Sequence, residues 1–232
     1  MIPHPLDNVI WTALRTHQRP LAVGTGLAVR FPADVAPFAA MEQPTPAAFD
    51  ALFDLAVPDT ELALFTLEEV VPGERFEVTQ RGGMVQMICR ELIAPADTAH
   101  EITVMTEADV PEMLALVALT KPGPFLPRTR TLGTYLGVRI DGRLVAMSGE
   151  RLHAAGHVEV SAVCTHPDHR GRGFAAQLIA AVCRGIAQRG ETPFLHAFHD
   201  NPAISTYRRL GFELRAKPRL TVLRRPASTS AA

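Results

Sequence analysis

The stretch His166-Pro-Asp-His-Arg-Gly-Arg-Gly-Phe-Ala-Ala176 decides how the rest of the chain reads. A β-type run, Gly156–Thr165, leads into it, and a run of helical period, Phe174–Gln188, leaves it. The loop between them carries glycines at 171 and 173 and arginines at 170 and 172. A glycine loop at a strand-to-helix junction aims several backbone N–H groups at one spot, and the helix dipole adds partial positive charge there. Such a loop suits a phosphate-bearing ligand.

Downstream, Ala175, Leu178, Ile179, Val182 and Ile186 recur at helical spacing, and Gly190 ends the helix. Phe194–Phe198 reads as a short buried strand. It is expected parallel to Gly156–Thr165, because a helix crosses over between them. Asn201-Pro202 reads as an N-cap followed by a proline start, with Gly211 at the C-terminal side of that helix. Phe212–Arg215 and Leu220–Arg224 are expected to close the sheet as a hairpin, with Ala227–Ala232 a disordered tail.

Upstream, Gly133–Ile140 and Leu144–Leu152 read as strands joined by Asp141-Gly142, a strong hairpin signal. A second turn at Ala154-Ala155-Gly156 means that three antiparallel strands deliver the chain to the loop. Ile102–Met105 is a further strand. Thr106–Asp109 resembles a capping box, opening a helix to about Ala118 with Val110, Met113, Leu114 and Val117 on one face. Lys121–Pro127 is too rich in proline for helix or central strand and reads as a stiff, site-lining loop. Arg128–Leu132 reads as a short helix.

The first hundred residues hold less chemistry. Ile10–Gln18 reads as a short helix with the single tryptophan, and Leu21–Phe31 as a strand pair or kinked strand around Gly24 and Gly26. Thr45-Pro46 starts a helix with Phe49, Leu52, Phe53 and Ala56 on one face, stopped by Pro58. Glu61–Thr66 is a strand. Phe76–Thr79 and Met84–Arg90 read as two strands around an Arg81-Gly82-Gly83 turn. Residues 94–98 form the expected boundary between halves.

With 232 residues and 47% apolar composition, the chain has ample material for a core. A net charge of −1 excludes bulk attraction to nucleic acid or to an anionic membrane. No apolar run approaches the roughly 20 residues that span a bilayer. The N-terminal residues lack a signal peptide's basic and apolar regions, so a cytoplasmic protein is expected. Three cysteines fit a reducing compartment without a disulfide framework.

Arg170-x-x-Gly173-x-Ala175 after a strand resembles the acyl-CoA-binding motif of the GNAT superfamily of N-acetyltransferases. Asn201-Pro-Ala-Ile-Ser-Thr-Tyr-Arg-Arg-Leu-Gly-Phe212 resembles that superfamily's later motif, an Asn with a Tyr six residues on, closing in Leu-Gly-Phe. The resemblance covers about 101–224, and Lys121–Phe125 and Leu144–Arg151 look like the glycine N-acyltransferase-like branch. It implies an α/β (α+β) fold with a mixed, mostly antiparallel twisted sheet flanked by helices. Residues 98–226 would form the GNAT domain, and 1–97 an α+β region resembling a partial second copy. A Rossmann site is the rival for the loop, but it wants a leading βαβ unit and a complete Gly-x-Gly-x-x-Gly.

The resemblance also implies roles. The N–H groups across Gly171, Arg172, Gly173, Phe174, Ala175 and Ala176 would hold the CoA pyrophosphate, with charge from Arg170 and Arg172, and with Asn201 nearby. Val163, Cys164 and Thr165 would pair with the pantetheine arm, and one N–H, that of Val163, would polarise the thioester carbonyl. Tyr207 matches the tyrosine that protonates the departing thiolate, a task suited to a phenol of pKa near 10. The attacking amine must lose a proton, to a base or to a water path. Glu159 and Glu150 are the candidate bases, each also readable as surface charge or as a substrate-orienting contact. His157, Glu159, Ser161 and Val163 share a face of a regular strand, a parity that a bulge near Val163 would change. Cys164, His166 and His169 invite a zinc reading, but they lack a fourth ligand nearby, so no metal is expected.

The expected activity is transfer of an acetyl group from acetyl-CoA to a primary amine, by direct attack in a ternary complex. A non-catalytic acyl-CoA sensor is the alternative. The partner is a small-molecule or peptide amine, with no nucleic acid and no membrane, and a homodimer is allowed. Acceptor identity and acyl length are not legible.

Overall fold

The structure is a computed structural model and describes residues 4–95 and 100–227. Most of the expected tail and of the expected boundary at 94–98 lies outside the described residues.

The elements run α1 (Val9–Arg15), β1 (Ala28–Arg30), β2 (Ala39–Met41), α2 (Pro46–Leu55), β3 (Glu61–Thr66), β4 (Glu77–Cys89) and β5 (Ile102–Val104). They continue with α3 (Val110–Thr120), β6 (Tyr135–Ile140), β7 (Arg143–Ala154), β8 (His157–Thr165) and α4 (Phe174–Gln188). The last are β9 (Thr192–Phe198), α5 (Ile204–Arg209), β10 (Phe212–Ala216) and β11 (Arg219–Arg224). One nine-stranded sheet has the order β3-β11-β4-β9-β8-β7-β6-β5, with β10 on β4. Its ladders are antiparallel except β8–β9, the pair joined by the α4 crossover. This is the mixed, mostly antiparallel sheet expected from the sequence. Strands from residues 61–89 and from 102–224 share it.

Local chemistry sets the boundaries. Thr45 Oγ1 accepts from Ala48 N at 3.2 Å, and Pro46 opens α2. Thr106 and Asp109 form the reciprocal capping box, through a 3₁₀ turn before α3. Asp141 and Gly142 both take positive φ, 48° and 78°, as a two-residue hairpin of right-handed twist requires.

Three expectations need correction. The Arg81-Gly82-Gly83 turn is absent, because β4 runs unbroken through it. A Cβ on Gly82 would lie 3.1 Å from the Phe198 ring, so glycine there admits a close cross-strand neighbour and does not turn the chain. The final hairpin is also absent. Phe212 to Arg224 runs antiparallel along β4, from Cys89 to Glu77. Pro218 interrupts the run without reversing it, and its carbonyl accepts from Met84 N at 2.9 Å. The helix expected from Asn201-Pro202 starts at Ile204, because Asn201 Oδ1 caps Ala203 N at 2.8 Å.

Each face of the sheet has its own core. On one face α4 and α5 set Ile179, Val182, Ile186 and Tyr207 on Val158, Val160 and Leu195. On the other, Leu6, Ile10 and Leu14 pack with Phe38, Phe65, Leu152, Phe194 and Leu220, so the N-terminal residues roof the C-terminal strands.

Candidate active site

The parallel pairing of β8 with β9 ends at Glu159↔Phe194. Beyond that pair no further β8–β9 register exists, and a cavity of about 980 Å³ opens there. A bulge helps to redirect β8. Between the pairs Met147↔Cys164 and Gly149↔Ser161, Ser148 of β7 stands opposite two residues of β8, Ala162 and Val163, and Ala162 takes φ 51°. A non-glycine residue at positive φ is uncommon and marks a backbone held by its surroundings. The bulge breaks the parity of the strand, as the sequence reading allowed.

The donor end of the cavity is built on the loop. Gly171 and Gly173 take φ 77° and 82°, conformations open to glycine at little cost. A Cβ on Gly171 would meet nothing within 4 Å, so its missing side chain faces open space. Gly173 is the N-cap of α4, where the helix's free N–H groups point outward. Arg172 is steered by His169 Nδ1 at 3.1 Å and by the Phe174 ring, 5.1 Å from Cζ to its centroid. Thr165 Oγ1 is buried without a hydrogen-bond partner while its residue lines the cavity. Two positive-φ glycines, a helix N-terminus and two arginines suit a pyrophosphate.

The sequence-predicted residues mostly converge. Val163, Cys164, Thr165, Arg170 through Ala176, Asn201 and Tyr207 all line this one cavity. Burial pushes the Tyr207 phenol up to about 12, so it is protonated across the working range. Burial likewise raises the Cys164 thiol to about 11, which leaves little thiolate for a nucleophile.

The two glutamates are placed differently. Glu150 is absent from the lining. Arg189 Nη2 donates to its Oε1 at 2.9 Å, and the main chain at 133–134 packs on it. Glu159 is fully buried, with Arg151 donating through Nε at 2.8 Å and Nη2 at 2.7 Å and His196 through Nδ1 at 2.8 Å. Burial alone would raise its pKa, but the charge and hydrogen bonds of Arg151, with the hydrogen bond of His196, outweigh that and hold it at about 2. The His196 tautomer follows from Gln86. Its amide nitrogen donates to Leu6 O at 2.9 Å and its Oε1 accepts from Arg215 at 2.5 Å, so the same nitrogen donates to His196 Nε2 at 3.0 Å.

Arg151, Phe38 and Phe65 line the cavity beside His196, and sequence reasoning missed these three. Arg151 left one signal, a charge inside a strand that is otherwise almost wholly buried. Elsewhere, His17, His153 and Glu191 bring ligand-type atoms within 4.8 Å of one another. The two imidazoles stack with planes 5° apart, so in these rotamers their in-plane lone pairs cannot converge on one ion.

Comparison with known proteins agrees with the geometry. Residues 135–220 match the family model described as FR47-like protein. A solved acetyltransferase assigned to the GNAT family, from Novosphingobium aromaticivorans, is 41% identical, covers 97% of this chain and 100% of its own, and superposes with a TM-score of 0.89. The chain belongs to the GNAT family of acetyltransferases. A GCN5-related N-acetyltransferase from Kribbella flavida shares the fold, with a TM-score of 0.61 at 22% identity over 96% of this chain and 95% of its own. A mycothiol acetyltransferase from Saccharomonospora viridis is 36% identical over 91 residues, and the match spans 35% of this chain and 30% of that relative. Among the described residues no helix is long and apolar enough to cross a membrane.

Proposed function

We propose that this protein moves an acetyl group from acetyl-CoA to the nitrogen of a primary amine, by direct attack while both substrates are bound. One observation carries this reading. The cavity that opens where β8 and β9 part runs from the glycine loop through Val163 to Arg151, His196 and Phe38 on the opposite face of the sheet. A donor laid on the loop presents its thioester at the gap, and an acceptor reaches it from the other side. A sensor needs no such second compartment.

Residues 171–176 and Arg170 hold the pyrophosphate, and residues 163–165 hold the arm. The Val163 N–H polarises the thioester carbonyl and stabilises the tetrahedral oxyanion. The amine nitrogen bonds to the acyl carbon, the C–S bond breaks, and Tyr207 gives its proton to the leaving sulfur. A carboxylate held at about 2 with both oxygens engaged is a poor acceptor for an ammonium proton. We therefore assign Glu159 to holding Arg151 and His196, and let water in the cavity carry the amine proton away. Within the superfamily we favour the glycine N-acyltransferase-like branch, supported by Lys121–Pro124 and Arg151, which line the cavity. The three cysteines are free and buried, which supports a cytoplasmic setting.

Tyr207→Phe tests the chemistry. Turnover, read as thiol release, should fall by about 10²-fold or more, while calorimetric CoA affinity stays nearly that of the parent. Unchanged turnover removes Tyr207 from the role of acid, and absence of thiol release across an amine library with the parent protein favours the sensor.

A further inference from the structure

We propose that Gln18 and Gln86 are positioning residues for acetyl transfer. These two buried amides of the N-terminal region set Arg151 on the wall of the reaction cavity, one through its main chain and one through its side chain. This rests on the acyl-transfer reading above and adds to it what residues 1–97 do for the site.

Among the described residues of 1–97, Gln18 and Gln86 are the buried polar side chains, 6% and 1% exposed. Burying an amide costs free energy unless its donor and acceptor are both met. Apolar side chains of the same size would fill the space without that cost. Both amides have partners on each side, and the bonds of both lead to Arg151.

Gln18 follows α1. Its Nε2 donates to Arg151 O at 2.7 Å, and its Oε1 accepts from His153 N at 3.2 Å. These main-chain groups belong to a second bulge. Between the pairs Glu150↔Val160 and His153↔Val158, Arg151 and Leu152 of β7 stand opposite Glu159 of β8 alone. The register of β6 on β7 ends before it, at Tyr135↔Gly149. Gln18 therefore binds the bulged main chain as a neighbouring strand would, and fixes where the Arg151 side chain leaves the sheet.

Gln86 reaches the same residue from β4. Its Nε2 serves Leu6 O and His196 Nε2, and its Oε1 is held by Arg215. The imidazole proton is thereby kept on Nδ1, which donates to Glu159, and Glu159 grips Nε and Nη2 of Arg151. The rings of Phe65 and Phe194, 5.0 Å and 5.6 Å away, pack on the imidazole and offer it no proton. Arg151 and His196 both line the cavity. A displacement of about 1 Å in such a wall can cost a reaction about 10²-fold.

The experiment uses the full chain, acetyl-CoA and the best-acetylated amine of the library above. Gln18→Met removes both main-chain bonds at similar size. Gln86→Glu keeps the size and the bond from Arg215, but calls for a proton on His196 Nε2. In each variant the amine KM should rise by at least about tenfold while kcat changes less than about threefold. Calorimetric CoA affinity should stay that of the parent. Nitrogen NMR of the imidazoles should show His196 protonated at Nδ1 alone in the parent and at both nitrogens in Gln86→Glu. A parent-like amine KM in either variant overturns the proposal. So does a loss of CoA affinity as large as the rise in KM, because general loosening touches both substrates. If a variant fails to fold, the parent's ring decides: a proton on Nε2 overturns the proposal, and a proton on Nδ1 alone upholds it. Absence of transfer to every amine by the parent removes the acyl-transfer reading and this proposal with it.

Discussion

Glu159 and Arg151 show what two adjacent charges do when the sheet closes over them. Taking both from water is costly, and the bidentate geometry with His196 offsets that cost. Losing one partner strands the other. Glu159→Gln should lower stability by about 3–5 kcal/mol in urea unfolding at neutral pH. The pH dependence follows from the sign of the shift. The folded carboxyl titrates at about 2, below its ordinary 4.5, so its contribution is whole above pH 4.5 and is lost as the pH falls towards 2. Urea midpoints measured down that window should fall more steeply in the parent than in Glu159→Gln, and parallel slopes would refute the ion pair's role. The glutamate was legible as a charge on the strand before the loop. Its partner was not, because register shifts on β7 and β8 scramble the alternation by which faces are assigned.

At the scale of elements, the N-terminus of α4 and the two glycines before it form the proposed anion cradle. Gly173→Glu puts a carboxylate at the proposed pyrophosphate site, on a backbone of positive φ that a side chain rarely adopts. Calorimetry should show CoA binding weakened by at least about 10²-fold, by like-charge repulsion and by strain together. Retained affinity would move the pyrophosphate elsewhere. Helices and caps were largely readable in advance, because their signals are local: Thr45-Pro46 and Thr106–Asp109 do what their chemistry requires. The site loop was readable for the same reason. The Gly82-Gly83 turn was misread because its cause is tertiary, a Phe198 ring laid on the strand. The apolar wall of the cavity escaped notice likewise: Phe38, Phe65 and Leu220 look like ordinary core residues until the fold brings them to one side of the gap.

For the whole molecule, β4 is the seam. Its first part pairs with β11, and its second part lies between β9 and β10. The fragment 98–226 should therefore fail to fold alone, since β9, β10 and β11 would lose their common partner. Circular dichroism of that fragment should show no cooperative urea transition, while the full chain unfolds in one step. A sharp transition in the fragment would make residues 1–97 an appendage. The strand order has one more consequence. β11 wedges between β3 and β4, strands made long before it. Until β11 is made, the N–H and C=O groups with which β3 and β4 pair to it have no strand to meet. Of the described strands β11 is made last and is the keystone, so this sheet closes only after synthesis has passed Arg224, and until then its open edges are for chaperones to guard.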